Sequence, residues 1–274
     1  MQLALSTLGC PEWDIDRICE VGSNTDYDGV DFRGYRDEID VTRHPLFTDQ
    51  AAETRAKLDN ASLEVSGLSS SIWLCDPDNR EDHLDEAHRL IEVGDAFDVD
   101  RIRLFGGGDT DAHSMDELAH IGGEGMREIL ALNGAEEFEW VLETHDNWTE
   151  AEDVQRLLDE CPDDNVSVLW DVAHTIRLGD ESPSETLDAI GDWIAYVHLK
   201  DAVSSPDHHD ATDDGYIYTL PGEGDLPIDD AVRALREHGY DGWVVFEHEK
   251  RWHPSISDPE VAFPAFVEWF RSVE

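Results

Sequence analysis

Phe138-Glu139-Trp140-Val141-Leu142-Glu143 and Val166-Ser167-Val168-Leu169-Trp170-Asp171 are two short apolar runs, each closed by an acid, with the stretch 151–159 between them. Both runs have the length and bulk of buried strands. Ala151, Val154, Leu157 and Leu158 give the intervening stretch the apolar stripe of a surface helix. Thr149-Glu150-Ala151-Glu152 ahead of it reads as a capping box. Strand, crossover helix and second strand make the unit of a parallel sheet.

Working outward, the unit repeats along the whole chain. Strands are predicted at 3–8, 29–32, 63–68, 101–105, 138–143, 166–171, 195–198 and 243–247. Helices are predicted at 13–21, 48–58, 81–97, 126–133, 151–159, 184–193, 228–238 and 261–271, with Gly239 as a left-handed cap. The glycines of Ile121-Gly122-Gly123-Glu124-Gly125 should shorten or interrupt the fourth helix, and 204–215 reads as a polar loop. No linker divides the chain. The fold class expected is therefore α/β, a single (β/α)₈ TIM-barrel domain over residues 1–274, with a doubly wound sheet as the structural alternative.

Charge is the unusual feature. Asp and Glu number 65 against 19 Lys and Arg, a formal net charge of -46, and the lysines are Lys57, Lys200 and Lys250. Such self-repulsion opposes the compact state unless salt screens it, so a salt-adapted, halophilic source and a cytoplasmic location are expected. Nucleic acid is a poor partner for this surface. No apolar stretch is long enough to span a bilayer, and no secretion signal is visible at the start. Cys10, Cys19, Cys75 and Cys161 form no CxxC and read as reduced, buried thiols. Trp148 and Trp252 are expected at exposed loops, where they could pack in a homo-oligomer or over a pocket.

Four polar residues end predicted strands: Glu143, Asp171, His198 and Glu247. Side chains alternate along a strand, and Glu143 shares parity with Val141, Asp171 with Leu169, and Glu247 with Val245 and Trp243. If that face lines the barrel, the four converge over its top. Crowded carboxylates repel, and a divalent cation resolves the conflict. Three oxygens with one imidazole suit Mn²⁺, Mg²⁺ or Co²⁺ at least as well as Zn²⁺. His174 stands close to Asp171 and His145 close to Glu143, each as a substrate contact or as one half of a loop salt bridge. Glu249 shares a face with Glu247 and is an alternative ligand.

With these residues the chain resembles the xylose isomerase-like TIM-barrel superfamily of sugar isomerases, epimerases and inosose dehydratases. The resemblance rests on Glu143, Asp171-x-x-His174, His198-Leu199-Lys200-Asp201, Gly222-Glu223-Gly224 and Gly242-Trp243-Val244-Val245-Phe246-Glu247. It implies one catalytic metal held by Glu143, Asp171, His198 and Glu247. Glu143 and Glu247 would be the acid–base pair moving a proton next to a metal-bound carbonyl, with His174 on a substrate oxygen. Lys200 would take an anionic group, and His145, Arg177 and Glu223 complete the expected substrate-binding set. Lys250, Arg251 and His253 lie in rim loops with the same potential. The activity implied is isomerisation or epimerisation of a small keto sugar or sugar phosphate; the alternatives are an inosose dehydratase-like lyase and a non-catalytic sugar-binding barrel.

Overall fold

The computed structural model describes residues 1–161 and 165–273. Its strands β1 (Gln2–Ser6), β2 (Gly29–Phe32), β3 (Glu64–Trp73), β4 (Arg101–Phe105), β5 (Glu139–Glu143), β6 (Val166–Asp171) and β7 (Ile194–Leu199) follow one another around a barrel. A hairpin of β8 (Asp201–Ser204) and β9 (Tyr216–Thr219) intervenes before β10 (Trp243–Phe246), which pairs with both β7 and β1. All the barrel pairings are parallel. The barrel is closed. That removes the doubly wound alternative.

The helices α1 (Ile15–Asn24), α2 (Ala51–Asn60), α3 (Arg80–Phe97), α4 (Met115–Leu130), α5 (Ala151–Glu160), α6 (Val172–Arg177), α7 (Pro183–Ile190), α8 (Ile228–His238) and α9 (Pro259–Val273) form the outer layer. Their apolar faces and the outward strand residues make the main core, while Ala4, Val141, Leu169, Tyr196, Trp243 and Val245 pack separately inside the barrel. This inner cluster fixes the parity of every strand it touches. Ser6, Glu143, Asp171, His198 and Glu247 lie two residues further along the same faces.

Several local expectations are corrected. Helix α4 begins at Met115 rather than 126, behind a Ser114/Glu117 capping box. Its glycines sit where side chains would collide: a Cβ on Gly122 would lie 2.6 Å from Leu157 Cδ1, and one on Gly123 would lie 2.6 Å from the Glu160 carbonyl oxygen. Close helix packing outweighs the low helix propensity of glycine here. The Thr149 capping box is absent too; Glu150 is the N-cap, and the Ala151 amide donates to Glu181 Oε1 from a neighbouring loop at 2.8 Å. The strands flanking the 204–215 loop went unread because they pair only with each other. Trp148 is buried rather than exposed, its ring against Gly106 and its Nε1 donating to Gly107 O at 2.9 Å; Trp252 is exposed. Gly239 ends α8 with φ 87°, the left-handed cap. The four cysteines are free and buried. Among the described residues no helix is long and apolar enough to cross a membrane.

The surface charge has a measurable consequence. With a net charge of -46, thermal melts should move to higher temperature as KCl rises from about 0.1 M towards about 2 M, where the screening length falls to a few ångströms. A melting temperature indifferent to salt would show that the repulsion is already locally compensated.

A second prediction concerns His248, which packs on Phe246 with its Nε2 donating to Ser257 O at 2.7 Å. Burial pushes this imidazole down to about 4 from an ordinary 6.5. The folded state therefore resists protonation, and stability present above pH 6.5 is lost as pH falls toward 4. The loss should reach at most about 3 kcal/mol. Chemical denaturation of His248→Gln, which cannot charge, should lack this component.

Candidate metal centre

The upper layer of the barrel carries the four strand-end residues together. One ligand atom from each of Glu143, Asp171, His198 and Glu247 lies within 4.8 Å of the others, and all four residues are buried. Each arrives by the same route, as an inward-facing position at the carboxyl end of β5, β6, β7 or β10. Register fixes their height: Asp171 pairs with His198, and His198 with Val245.

Neighbouring cations hold the carboxylates. Lys200 is two residues beyond His198, so it points inward too; it is buried with its Nζ 2.7 Å from Asp171 Oδ2, 2.5 Å from Glu247 Oε2 and 2.9 Å from Glu249 Oε1. Arg103, also buried, places Nε 3.1 Å from Glu143 Oε2 and donates from Nη1 to Ser70 O at 3.0 Å. His198 Nδ1 is 3.3 Å from Glu247 Oε1. Glu249 is therefore a partner of Lys200, outside the four-residue cluster.

Lys200 hydrogen-bonds Glu247 and Glu249, but the contacts of Lys200 with Asp171, Arg103 Nε with Glu143 and His198 with Glu247 are close and poorly aligned. Among the described residues both ring nitrogens of His198, together with Glu143 Oε2 and Asp171 Oδ2, are buried without a hydrogen-bond partner. Native proteins seldom leave such atoms unmatched. Three oxygen donors and an imidazole converging on one point fit a divalent ion, and the absence of thiolate from the cluster disfavours a soft metal.

Electrostatics separates the roles. Burial works against a charged His198, yet Glu247 and Glu143 outweigh it and raise the ring to about 9. Burial raises Asp171 to about 6 despite Lys200. Burial alone would raise Glu247 as well, but Lys200 and His198 hold it well below the usual carboxylate range. Glu249 is lifted to about 7 by burial, only partly offset by Lys200.

Two imidazoles sit at the mouth. His174 Nδ1 lies 3.0 Å from Thr144 O and 3.4 Å from Asp171 Oδ2. Both neighbours accept, so the proton resides on Nδ1 and Nε2 keeps its lone pair. Burial drives this ring well below its ordinary value, and it is neutral. His145 meets it edge-on at 4.7 Å and has Nδ1 2.8 Å from Asp146 Oδ1; burial opposes its charge, but the adjacent Asp146 carboxylate raises it. Glu143, His145 and His174 form a second group with ligand atoms within 4.8 Å.

Other expected residues lie elsewhere. Arg177 is turned to the hairpin, bonding Asp214, Thr212 Oγ1 at 3.1 Å and Tyr218 Oη at 3.4 Å, with the Tyr216 ring beneath it at 4.7 Å. Glu223 is exposed on a turn whose Gly222 and Gly224 amides both donate to Asp201 Oδ2 at 2.9 Å. Lys250 Nζ donates to Pro254 O and Ile256 O, and Arg251 donates to Arg36 O. His253 packs on Tyr218 at 4.9 Å. Arg33, Arg103 and Phe105 at the mouth fall in stretches that mark the family resemblance weakly and carried no expected role, although each shares parity with an inward residue of its strand.

The profile of the xylose isomerase-like TIM barrel matches residues 19–273. The chain belongs to that family. Among curated proteins, it is 30% identical over 115 residues to an inosose dehydratase of Lacticaseibacillus casei, a match covering 39% of this chain and 38% of the relative. Matches of similar extent include an inosose dehydratase of Geobacillus kaustophilus, 32% identical over 123 residues, 42% of this chain and 37% of the relative. The chain thus aligns with well under half the length of these proteins. Among solved structures, the barrel superposes on a probable 3-DHS dehydratase, AsbF, of Bacillus anthracis with TM-score 0.78 and 17% identity, over 100% of this chain and 98% of that one. It also superposes on the 3-keto-D-glucoside 4-epimerase YcjR of E. coli with TM-score 0.75 and 19% identity, over 99% of each chain. A zinc-bound IOLI protein gives TM-score 0.75 and 17% identity over 100% of this chain and 96% of that one. At these identities the superpositions establish the fold.

Mn²⁺ or Co²⁺ should raise the melting temperature, because a ligand at a hundred times its dissociation constant adds about 2.7 kcal/mol. His198→Ala should abolish the increment and Glu143→Gln should reduce it, as read by calorimetric titration. An undiminished increment in His198→Ala would place the ion elsewhere.

Proposed function

We propose that this chain is a metal-dependent lyase that removes water from a small polyhydroxy ketone, taking the proton from the carbon beside the carbonyl. The observation that carries the reading is the buried Glu143, Asp171, His198 and Glu247 cluster with the neutral His174 beside it. The inosose dehydratases among the relatives support the same reaction class.

A bound divalent ion would supply a Lewis acid for the carbonyl oxygen, making the neighbouring C–H acidic. Glu143, Asp171, His198 and Glu247 would hold that ion, and Arg103 would fix the Glu143 carboxylate. His174 Nε2, with its lone pair free, takes the proton from carbon. The hydroxyl on the next carbon then leaves as water, and His145, kept protonatable by Asp146, returns the proton it needs. One C–H and one C–O bond break, a carbon–carbon double bond forms, and no redox partner is required.

Epimerisation is the second reading, suggested by the superposition on the 3-keto-D-glucoside 4-epimerase. It needs an acid–base group on each face of one carbon. Glu247, expected for that task, has both oxygens engaged, Oε2 by Lys200 at 2.5 Å and Oε1 by His198 Nδ1 at 3.3 Å. Dehydration needs no such second base.

The test is incubation with an inosose and Mn²⁺ or Co²⁺ in heavy water. Loss of 18 mass units with an absorbing unsaturated ketone is expected, and His174→Gln should lower the rate by about 10²–10⁴ while ion uptake persists. Deuterium at carbon without loss of water would replace the lyase by an isomerase or epimerase. Neither exchange nor water loss on any keto sugar would make the barrel a binding protein.

A further inference from the structure

Lys200 was the expected reader of an anionic substrate group, but its ammonium is already engaged by three carboxylates. Arg103 is likewise engaged by Glu143. Arg33 differs. It stands two residues beyond Asp31, whose side chain is buried inside the barrel beside Ser69 and Gly67, so it lies one layer higher, at the mouth. Its Nη1 donates to Ser71 Oγ at 3.0 Å, and its guanidinium lies 5.8 Å from the Phe105 ring centre. Among the described residues these are its side-chain contacts with polar or aromatic groups, and no carboxylate reaches it within 4.0 Å.

That is anomalous in a chain with 65 acids and 19 lysines and arginines. A guanidinium partly removed from water ordinarily acquires an anion or several acceptors. Burial, helped by the positive charge of Arg103, pushes this one down to about 10, so its surroundings do not compensate it. The Phe105 ring also carries Arg103 at 3.9 Å and His145 at 4.6 Å, which puts Arg33 on the same wall of the mouth as Glu143 and the two imidazoles. Four of the five guanidinium N–H groups remain for a ligand.

We propose that Arg33 recognises a carboxylate carried by the substrate, making a cyclic polyhydroxy keto acid the preferred member of the polyhydroxy ketone class. This rests on the lyase reading and refines it. A planar monoanion matches the arginine fork. Phosphate is less suited, because Glu143, Glu86 and Glu247 act on the same guanidinium and would repel a dianion more strongly. Ser71 positions the fork from its other side.

The experiment compares quinate with quinamide, which keeps the ring and hydroxyls but lacks the charge, by calorimetric titration of the Mn²⁺-loaded protein. Wild type should bind quinate about tenfold more tightly or better, and Arg33→Gln should bring the two within about twofold while quinamide binding is unchanged. Equal affinities in wild type, or a preference that survives Arg33→Gln, overturns the assignment. The wild-type comparison stands even if the variant fails to fold. Water loss from an uncharged inosose, together with equal quinate and quinamide affinities in wild type, would sink the carboxylate site and keep the lyase. An Arg33-dependent quinate preference with no dehydration of any ketone would uphold the site and remove the lyase.

Discussion

Charge brought into the mouth of a dry barrel has to be balanced there, and in this chain Lys200 does most of the balancing. Its ammonium lies within 2.9 Å of carboxylates from three sources, Asp171, Glu247 and Glu249. Removing one partner from such a buried assembly leaves charge uncompensated, which is far more damaging than losing a surface pair. The arrangement also biases chemistry. Fastening Glu247 as an anion suits it to hold an ion and unfits it to shuttle protons, so the task of accepting a proton passes to the imidazoles above. The reaction class proposed for the barrel therefore follows from where its positive charges lie.

Much of the architecture was legible because each barrel strand is a short apolar run with an inward face that ends in a polar residue. The parity of Val141 with Glu143 and of Val245 with Glu247 was enough to bring distant segments together, given a closed barrel. The glycine-rich middle of α4 was misread because propensity is local, whereas the reason for Gly122 and Gly123 lies on α5. The hairpin was missed for a related reason: β8 and β9 are four residues each and pair only with each other, too short for an alternation to announce them.

At the site, strand-end residues were readable and their neighbours were not. Arg177 looked available for substrate, but the hairpin that occupies it could not be seen in the sequence. Lys200 could be placed only once its strand was known to keep facing inward beyond His198. Arg33 and Arg103 drew no functional role among the few cations of an acidic chain, since burial, rather than residue type, distinguishes them. The family resemblance supplied the candidate metal set, and the hydrogen-bond geometry of His174 supplied its tautomer.

The four cysteines lead in another direction. Burial raises Cys19 to about 11 and Cys75 and Cys161 to about 12, and moves Cys10 in the same sense, so the folded chain presents almost no thiolate. Alkylating reagents attack the thiolate. Their access must then await transient opening of the layer covering each sulfur, in the loop after β1, on α1, after β3 or at the end of α5. The molecule thus carries four internal clocks, two of them, at Cys75 and Cys161, close enough to feel one another and so timing the breathing of a shared region.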